Sequence, residues 1–271
     1  MTLASSGIDA SRLAKPIGLY IALAFSVPLV CVLLMMIVRA FRSGIPRFVL
    51  YGIEAATPTL AALLVTVMLG GRRSLTVFVK GLYVRNVRVR YIVLAALIPV
   101  MMFTAARLVW FLSDVRCVPF FASITPQKLV IIAWALVAEE VGWRGFLQPR
   151  VGTRLGYIAT PLVVGSVWAL WHYHFFWSGT MASAPVGLFA VGCVAESYGY
   201  YWVTTRSKGN IIPASVWHFT GNLCMSAYTI SPESNHSSIR PYALYTGFAV
   251  LMASIVTVGT HRSHRNLSQS G

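Results

Sequence analysis

Apolar residues in this chain come in long unbroken runs, with little alternation and no narrow helical stripe. A helix rising ~1.5 Å per residue needs about 17 to 25 apolar residues to cross ~30 Å of hydrocarbon. About eight runs reach that length, at 17–38, 48–69, 91–111, 128–146, 158–177, 185–203, 212–230 and 242–259. Backbone polar groups in lipid are satisfied within a helix or a closed barrel, and runs this long predict helices. The expected fold class is an all-α membrane protein, a bundle of about eight transmembrane helices. No internal repeat, low-complexity tract or soluble domain interrupts it. The leader "MTLASSGIDASRLAK" precedes a run too long for a cleavable signal and lacking a small-residue cleavage site, so that run is read as a retained span.

Composition agrees: 57% of residues are hydrophobic and 11% charged, with a mean hydropathy of +0.70, whereas a soluble domain has about a quarter of its residues charged. The net charge of +15 would suit a nucleic-acid partner, but the basic residues sit between the apolar runs and read as topology determinants. No nucleic-acid partner is expected. With the N-terminus in the cytoplasm, 15 of the 22 Lys and Arg fall inside and six outside, while Arg107 lies within the third span. Both termini are therefore expected on the cytoplasmic side of the cell membrane. The basic loop "GGRRSLTVFVKGLYVRNVRVR" is expected to lie along anionic headgroups. Cys31, Cys117, Cys193 and Cys224 are dispersed and imply neither a disulfide framework nor a cysteine metal site.

An ionisable residue at the bilayer centre costs at least ~2.5 to 3.5 kcal/mol on insertion scales, so such residues face a partner or a cavity. Those in the runs are Glu54, Glu139, Glu140, Arg144, His172, His174, Glu196 and His218, with the amide Asn222. In "ALVAEEVGWRGFLQPR", about 100° of rotation per residue puts Glu140 and Arg144 on one face and turns Glu139 away. The bland alternative is an ion-pair network tying helices together, and it stays open here. Trp168 and His172 share a face of the fifth run, as do His218 and Asn222 of the seventh. A polar cavity between spans four, five and seven is expected to collect them. Glu196 is expected to pack between helices rather than line that cavity, and Glu54, near a span end, to be hydrated. The other tryptophans, Trp134, Trp143, Trp171, Trp177, Trp202 and Trp217, read as interface anchors or packing residues.

A carboxylate in a low-dielectric site is a stronger base toward water, and a neighbouring imidazole can hold that water or exchange its proton. A second imidazole and an amide one turn apart are donors suited to an oxyanion on a peptide carbonyl. The set reads as peptide-bond hydrolysis by activated water, without a nucleophilic Ser or Cys. No nucleotide-binding pattern is present.

Three motifs, "EEVGWR" (Glu139, Glu140, Arg144), "WALWH" (Trp168 to His172) and "HFTGN" (His218 to Asn222), resemble in order and placement those of the CPBP family of intramembrane proteases. That family, also called Abi, includes the type II CAAX prenyl endopeptidases and bacteriocin-processing or immunity proteins. The resemblance covers 127–230, which it marks as catalytic core helices, leaving 1–126 as N-terminal helices with the basic loop and 231–271 as the last helix and tail. It implies that Glu139 and His172 activate water, that His218 and Asn222 stabilise the oxyanion, and that Glu140, Arg144 and Trp168 support the site. The substrate implied is a membrane-associated protein or peptide, prenylated or plain, delivered laterally or from the cytoplasm. There is no H-E-x-x-H, and a metal-free mechanism is favoured; a zinc reading would use His172, His218 and Glu139, with His174 as an extra ligand. Where many members carry proline, this chain has His174, so the end of the fifth helix is expected to continue straight. His174, about 200° around the helix from His172, is expected to be structural. The rivals are a non-catalytic immunity or scaffold protein and a proton-relay transporter; the latter calls for inverted repeats that the sequence lacks.

Overall fold

A computed structural model describes residues 10–83, 87–113 and 118–269, with backbone alone for 10–13 and 262–269. Arg85, Arg116 and Cys117 lie outside the described residues, as do the side chains of Arg12, Arg262 and Arg265. The helices are α1 (Ala10–Ile37), α2 (Gly44–Tyr83), α3 (Val89–Ser113), α4 (Pro126–Ala138), α5 (Gln148–Trp171), α6 (Tyr173–Trp177), α7 (Val186–Arg206), α8 (Ile212–Ala227) and α9 (Arg240–Gln269), with a π-helical turn, Val141–Leu147, between α4 and α5. Among the described residues there is no sheet; one isolated antiparallel bridge joins Phe121 to Tyr228.

Four segments are long and apolar enough to cross a membrane: Ala14–Ile37, Gly44–Tyr83, Val89–Ser113 and Arg240–His261. They coincide with the first three and the last of the predicted runs, and the protein is a multi-pass membrane protein. The other four runs fall on α4 with the π turn, α5 with α6, α7 and α8. These inner helices are shorter or more polar, because they carry the intramembrane charges.

Packing places those charges centrally. α7 lies between α5 and α9, α3 packs on α8 and α9, α4 on α8 and α2, and α1 on α2. Trp143, Trp171 and Trp217 are fully buried, so they are core residues rather than interface anchors. The outer helices expose Ile37, Leu60, Met101 and Leu112, an apolar exterior that suits lipid and not water. Gly142 of the π turn lies so close to α2 that a Cβ there would meet the Pro58 carbonyl oxygen at 2.4 Å.

Two glycines redirect the chain. Gly71 (φ 67°, ψ −174°) breaks α2 and Gly156 (φ 55°, ψ −177°) breaks α5, in a backbone region essentially reserved for glycine. The first half of the expected basic loop is accordingly helical, as the last part of α2.

The loops gather at two ends. At one end Arg107, buried in α3, donates to the Val118 carbonyl (2.7 Å), the Pro119 carbonyl (3.0 Å) and Thr229 Oγ1 (3.0 Å). There too Arg47 reaches Thr180 Oγ1 (2.6 Å), and Ser183 bonds Glu233. At the other end the Ile211 N–H donates to the Leu82 carbonyl (3.1 Å), Asn210 to the Tyr83 carbonyl (3.1 Å), and Tyr157 contacts His261 (2.6 Å).

Candidate active site

The site begins where α4 stops. Glu139 has left helical geometry (φ −123°, ψ −39°), and its carbonyl accepts from the N–H groups of both Gly142 (2.9 Å) and Trp143 (3.0 Å). The π turn follows, and such wide turns recur at functional sites. Glu140 and Arg144 keep their shared face: Arg144 Nε lies 3.3 Å from Glu140 Oε2, with both side chains fully buried. The guanidinium also lies over the rings of Tyr200 (3.9 Å) and Trp168 (4.8 Å).

Glu139 is not left without partners. Its Oε2 accepts from the indole N–H of Trp168 (2.8 Å) and of Trp143 (3.2 Å). Oε1 lies 3.8 Å from His218 Nε2. The other His218 nitrogen, Nδ1, sits 2.8 Å from Glu140 Oε1, so one imidazole spans two consecutive carboxylates.

His172 caps the C-terminus of α5. Its Nδ1 is 2.7 Å from the Trp168 carbonyl; a carbonyl only accepts, so Nδ1 carries hydrogen and Nε2 remains for the cleft. This contact also overturns the expected straight helix. The imidazole takes the carbonyl that a continuing α-helix would use, the His172 N–H donates instead to the Ala169 carbonyl (3.2 Å), and the chain restarts as α6.

Glu139, Trp168, His172, His218 and Asn222 line one cleft of about 270 Å³, together with Glu196, Tyr200 and, at its rim, Lys128, Thr180 and Glu233. Glu140 and Arg144 stand behind its wall. A larger apolar groove of about 970 Å³ on α5, α7 and α9 shares Phe189 with the cleft but carries none of the charged residues, so it is not where the chemistry would occur.

Two residues sit differently from expectation. Glu196 packs between helices, accepting from Tyr245 Oη at 2.6 Å, yet lines the cleft as well. Glu54 is fully buried rather than hydrated, because α6 covers it. Its carboxylate lies 3.6 Å from Arg47 Nη1 and 3.7 Å from Nδ1 of His174, itself fully buried. The ring of Trp171 separates His174 from His172, with centroids 4.7 and 5.0 Å away. Trp143 and Tyr200 were passed over in the sequence. The four-residue spacing of Glu139 and Trp143 was the available signal for the first, and nothing local marks the second.

For zinc, the donors would have to converge. Among the described residues no three His, Cys, Asp or Glu side chains form a group that could hold a metal ion.

The family profile described as "Type II CAAX prenyl endopeptidase Rce1-like" matches residues 121–224. Over that segment the chain is similar to this family. The matched segment holds Glu139, Glu140, Arg144, Trp168, His172, His218 and Asn222, while Arg47, Glu54 and Tyr245 lie outside it. The chain is similar to CAAX prenyl protease 2 of Methanococcus maripaludis, 22% identical over 136 residues, which make up 47% of this chain and 48% of that protein. It thus spans about half the length of this curated relative.

Proposed function

We propose that the protein is an intramembrane endopeptidase of the CAAX type that hydrolyses a peptide bond in a membrane-associated protein or peptide. The observation that carries this reading is the cleft in which Glu139 Oε1, His218 and His172 meet, within the segment matched by an endopeptidase family. Residues 127–230 form the catalytic core in a chain crossing the membrane about eight times.

The two indole donors occupy one oxygen of Glu139 and leave the other to act as base. A water held between Glu139 and His172 Nε2 gives its proton to Glu139 and attacks the scissile carbonyl carbon. The resulting oxyanion faces the Asn222 amide and the Nε2–H of His218, which donates from both nitrogens as an imidazolium held between Glu139 and Glu140. Glu140 holds His218 by Nδ1, so that its other nitrogen points into the cleft, and Arg144 balances Glu140. Collapse breaks the C–N bond, and the proton on Glu139 passes to the departing amine. The mechanism as written uses no metal.

The test uses the full chain in detergent or nanodiscs with quenched fluorescent peptides, prenylated and plain. The expected result is cleavage by wild type that persists with a strong chelator and vanishes in Glu139→Gln. Loss with chelator would point to zinc. A biological activity that survives Glu139→Gln, with no cleavage of any peptide, would make the protein a non-catalytic immunity or scaffold protein.

A further inference from the structure

The cleft has a direction. Its exposed lining residues, Lys128, Thr180 and Glu233, belong to the first turn of α4, the turn after α6 and the loop between α8 and α9. These segments meet at one end of the bundle: Arg47, from the start of α2, bonds Thr180, and Ser183 beside it bonds Glu233. The buried lining residues Glu139, Tyr200 and His218 form the floor. Access therefore comes from the end where α1 finishes and α9 begins.

The basic residues gather at the opposite end. Arg72, Arg73, Lys80, Arg88, Arg90, Arg150, Arg154, Arg206 and Lys208 lie in or beside the segments joined by the Leu82–Ile211 and Tyr83–Asn210 contacts. The mouth end has Arg39, Arg42, Arg47, Lys128 and Arg240. Lys and Arg near span ends stay on the cytoplasmic side, so the basic end faces the cytoplasm and the mouth faces away from it.

We infer that the cleft opens on the face of the membrane away from the cytoplasm, and that its substrates are peptide segments exposed there, exported or surface-facing. This rests on the endopeptidase reading for the word substrate, but the direction of opening does not. It replaces the cytoplasmic route of delivery expected from the sequence with approach from the outer face or from the adjoining lipid.

Cysteine accessibility tests it in whole cells. Cys31, Cys193 and Cys224 are buried; Cys117 is first changed to serine. Lys128→Cys at the mouth and Arg73→Cys at the basic end, both exposed positions, are then treated with a membrane-impermeant maleimide. The expected result is labelling of Lys128→Cys in intact cells and of Arg73→Cys only after permeabilisation. The reverse pattern would overturn the inference. A plain peptide added outside intact cells supplies the second arm, with loss of cleavage in Glu139→Gln expected. Cleavage that needs permeabilisation would overturn the assignment of substrates to that face. Mouth labelling with no cleavage by intact or permeabilised cells would uphold the direction and remove the endopeptidase reading.

Discussion

Trp168 donates its indole N–H to Glu139 across two elements of the bundle, at 2.8 Å, while its ring edges both His172 and His218, with centroids 5.5 and 5.7 Å away. The tryptophan thus orients a carboxylate and two imidazoles at once. Trp168→Phe keeps most of the ring and removes the donor. A hydrogen bond to a charged group is worth about 1.5 to 3 kcal/mol, so kcat/KM is expected to fall by about ten- to a hundredfold with the fold retained. Kinetics beside a thermal melt check this, and an unchanged kcat/KM would contradict it.

Glu139→Gln keeps shape and an oxygen for the two indoles but removes the proposed base. The expected loss in kcat is about 10² to 10⁴-fold, with little change in peptide affinity. Single-turnover cleavage and binding measured on the same preparation separate the two.

Glu140 and Arg144 form a fully buried pair, and removing one member strands the other. Either Glu140→Gln or Arg144→Met is expected to cost about 3 to 5 kcal/mol of stability. The double variant should lose less than the sum, since no charge is then left alone. A double-mutant cycle from denaturant titrations in detergent gives the coupling.

Arg47 connects Glu54, two turns along α2, to Ser178 and to Thr180 of the cleft rim, which also contact each other. In Arg47→Met the rim is expected to loosen, with the hydrogen-bonded amides of Met181 and Ala184 exchanging about tenfold faster while α7 and α9 are unchanged. Hydrogen exchange read by mass spectrometry decides, and a uniform rise across the chain would mean general destabilisation instead.

Gly142 against Pro58 has no room for a methyl group, and overpacking a close contact costs about 1 to 3 kcal/mol. Gly142→Ala should lower the melting temperature. Gly247→Ala, on α9 with open space around it, should be neutral or stabilise by up to about 1 kcal/mol.

Much of this was legible in the chain. The outer helices follow from length and hydropathy, and the pairing of Glu140 with Arg144 follows from four-residue spacing, which survived the change to a wider turn. Residues far apart in sequence were less legible. Glu54 and His174 meet because α6 folds back over α2, and the sequence of α2 alone shows only an acid near a span end. The break at His172 was hidden because an imidazole, unlike proline, ends a helix only when it turns onto a carbonyl of the preceding turn. Trp143 was hidden by its type, since an indole in an apolar run reads as packing until an acceptor is seen beside it.

The π turn at Val141–Leu147 makes the site sensitive to chain length in a way its composition does not reveal. Each residue of an α-helix turns the chain by about 100°, and a wide turn holds surplus chain between Glu139 and the start of α5. Letting the turn relax to α geometry with its residue count unchanged would overwind the chain and swing everything downstream out of phase. Glu139 would then face a different side of the fifth helix, and Trp168 would be lost to it although both side chains were intact. In this stretch the count of residues carries as much information as their identity.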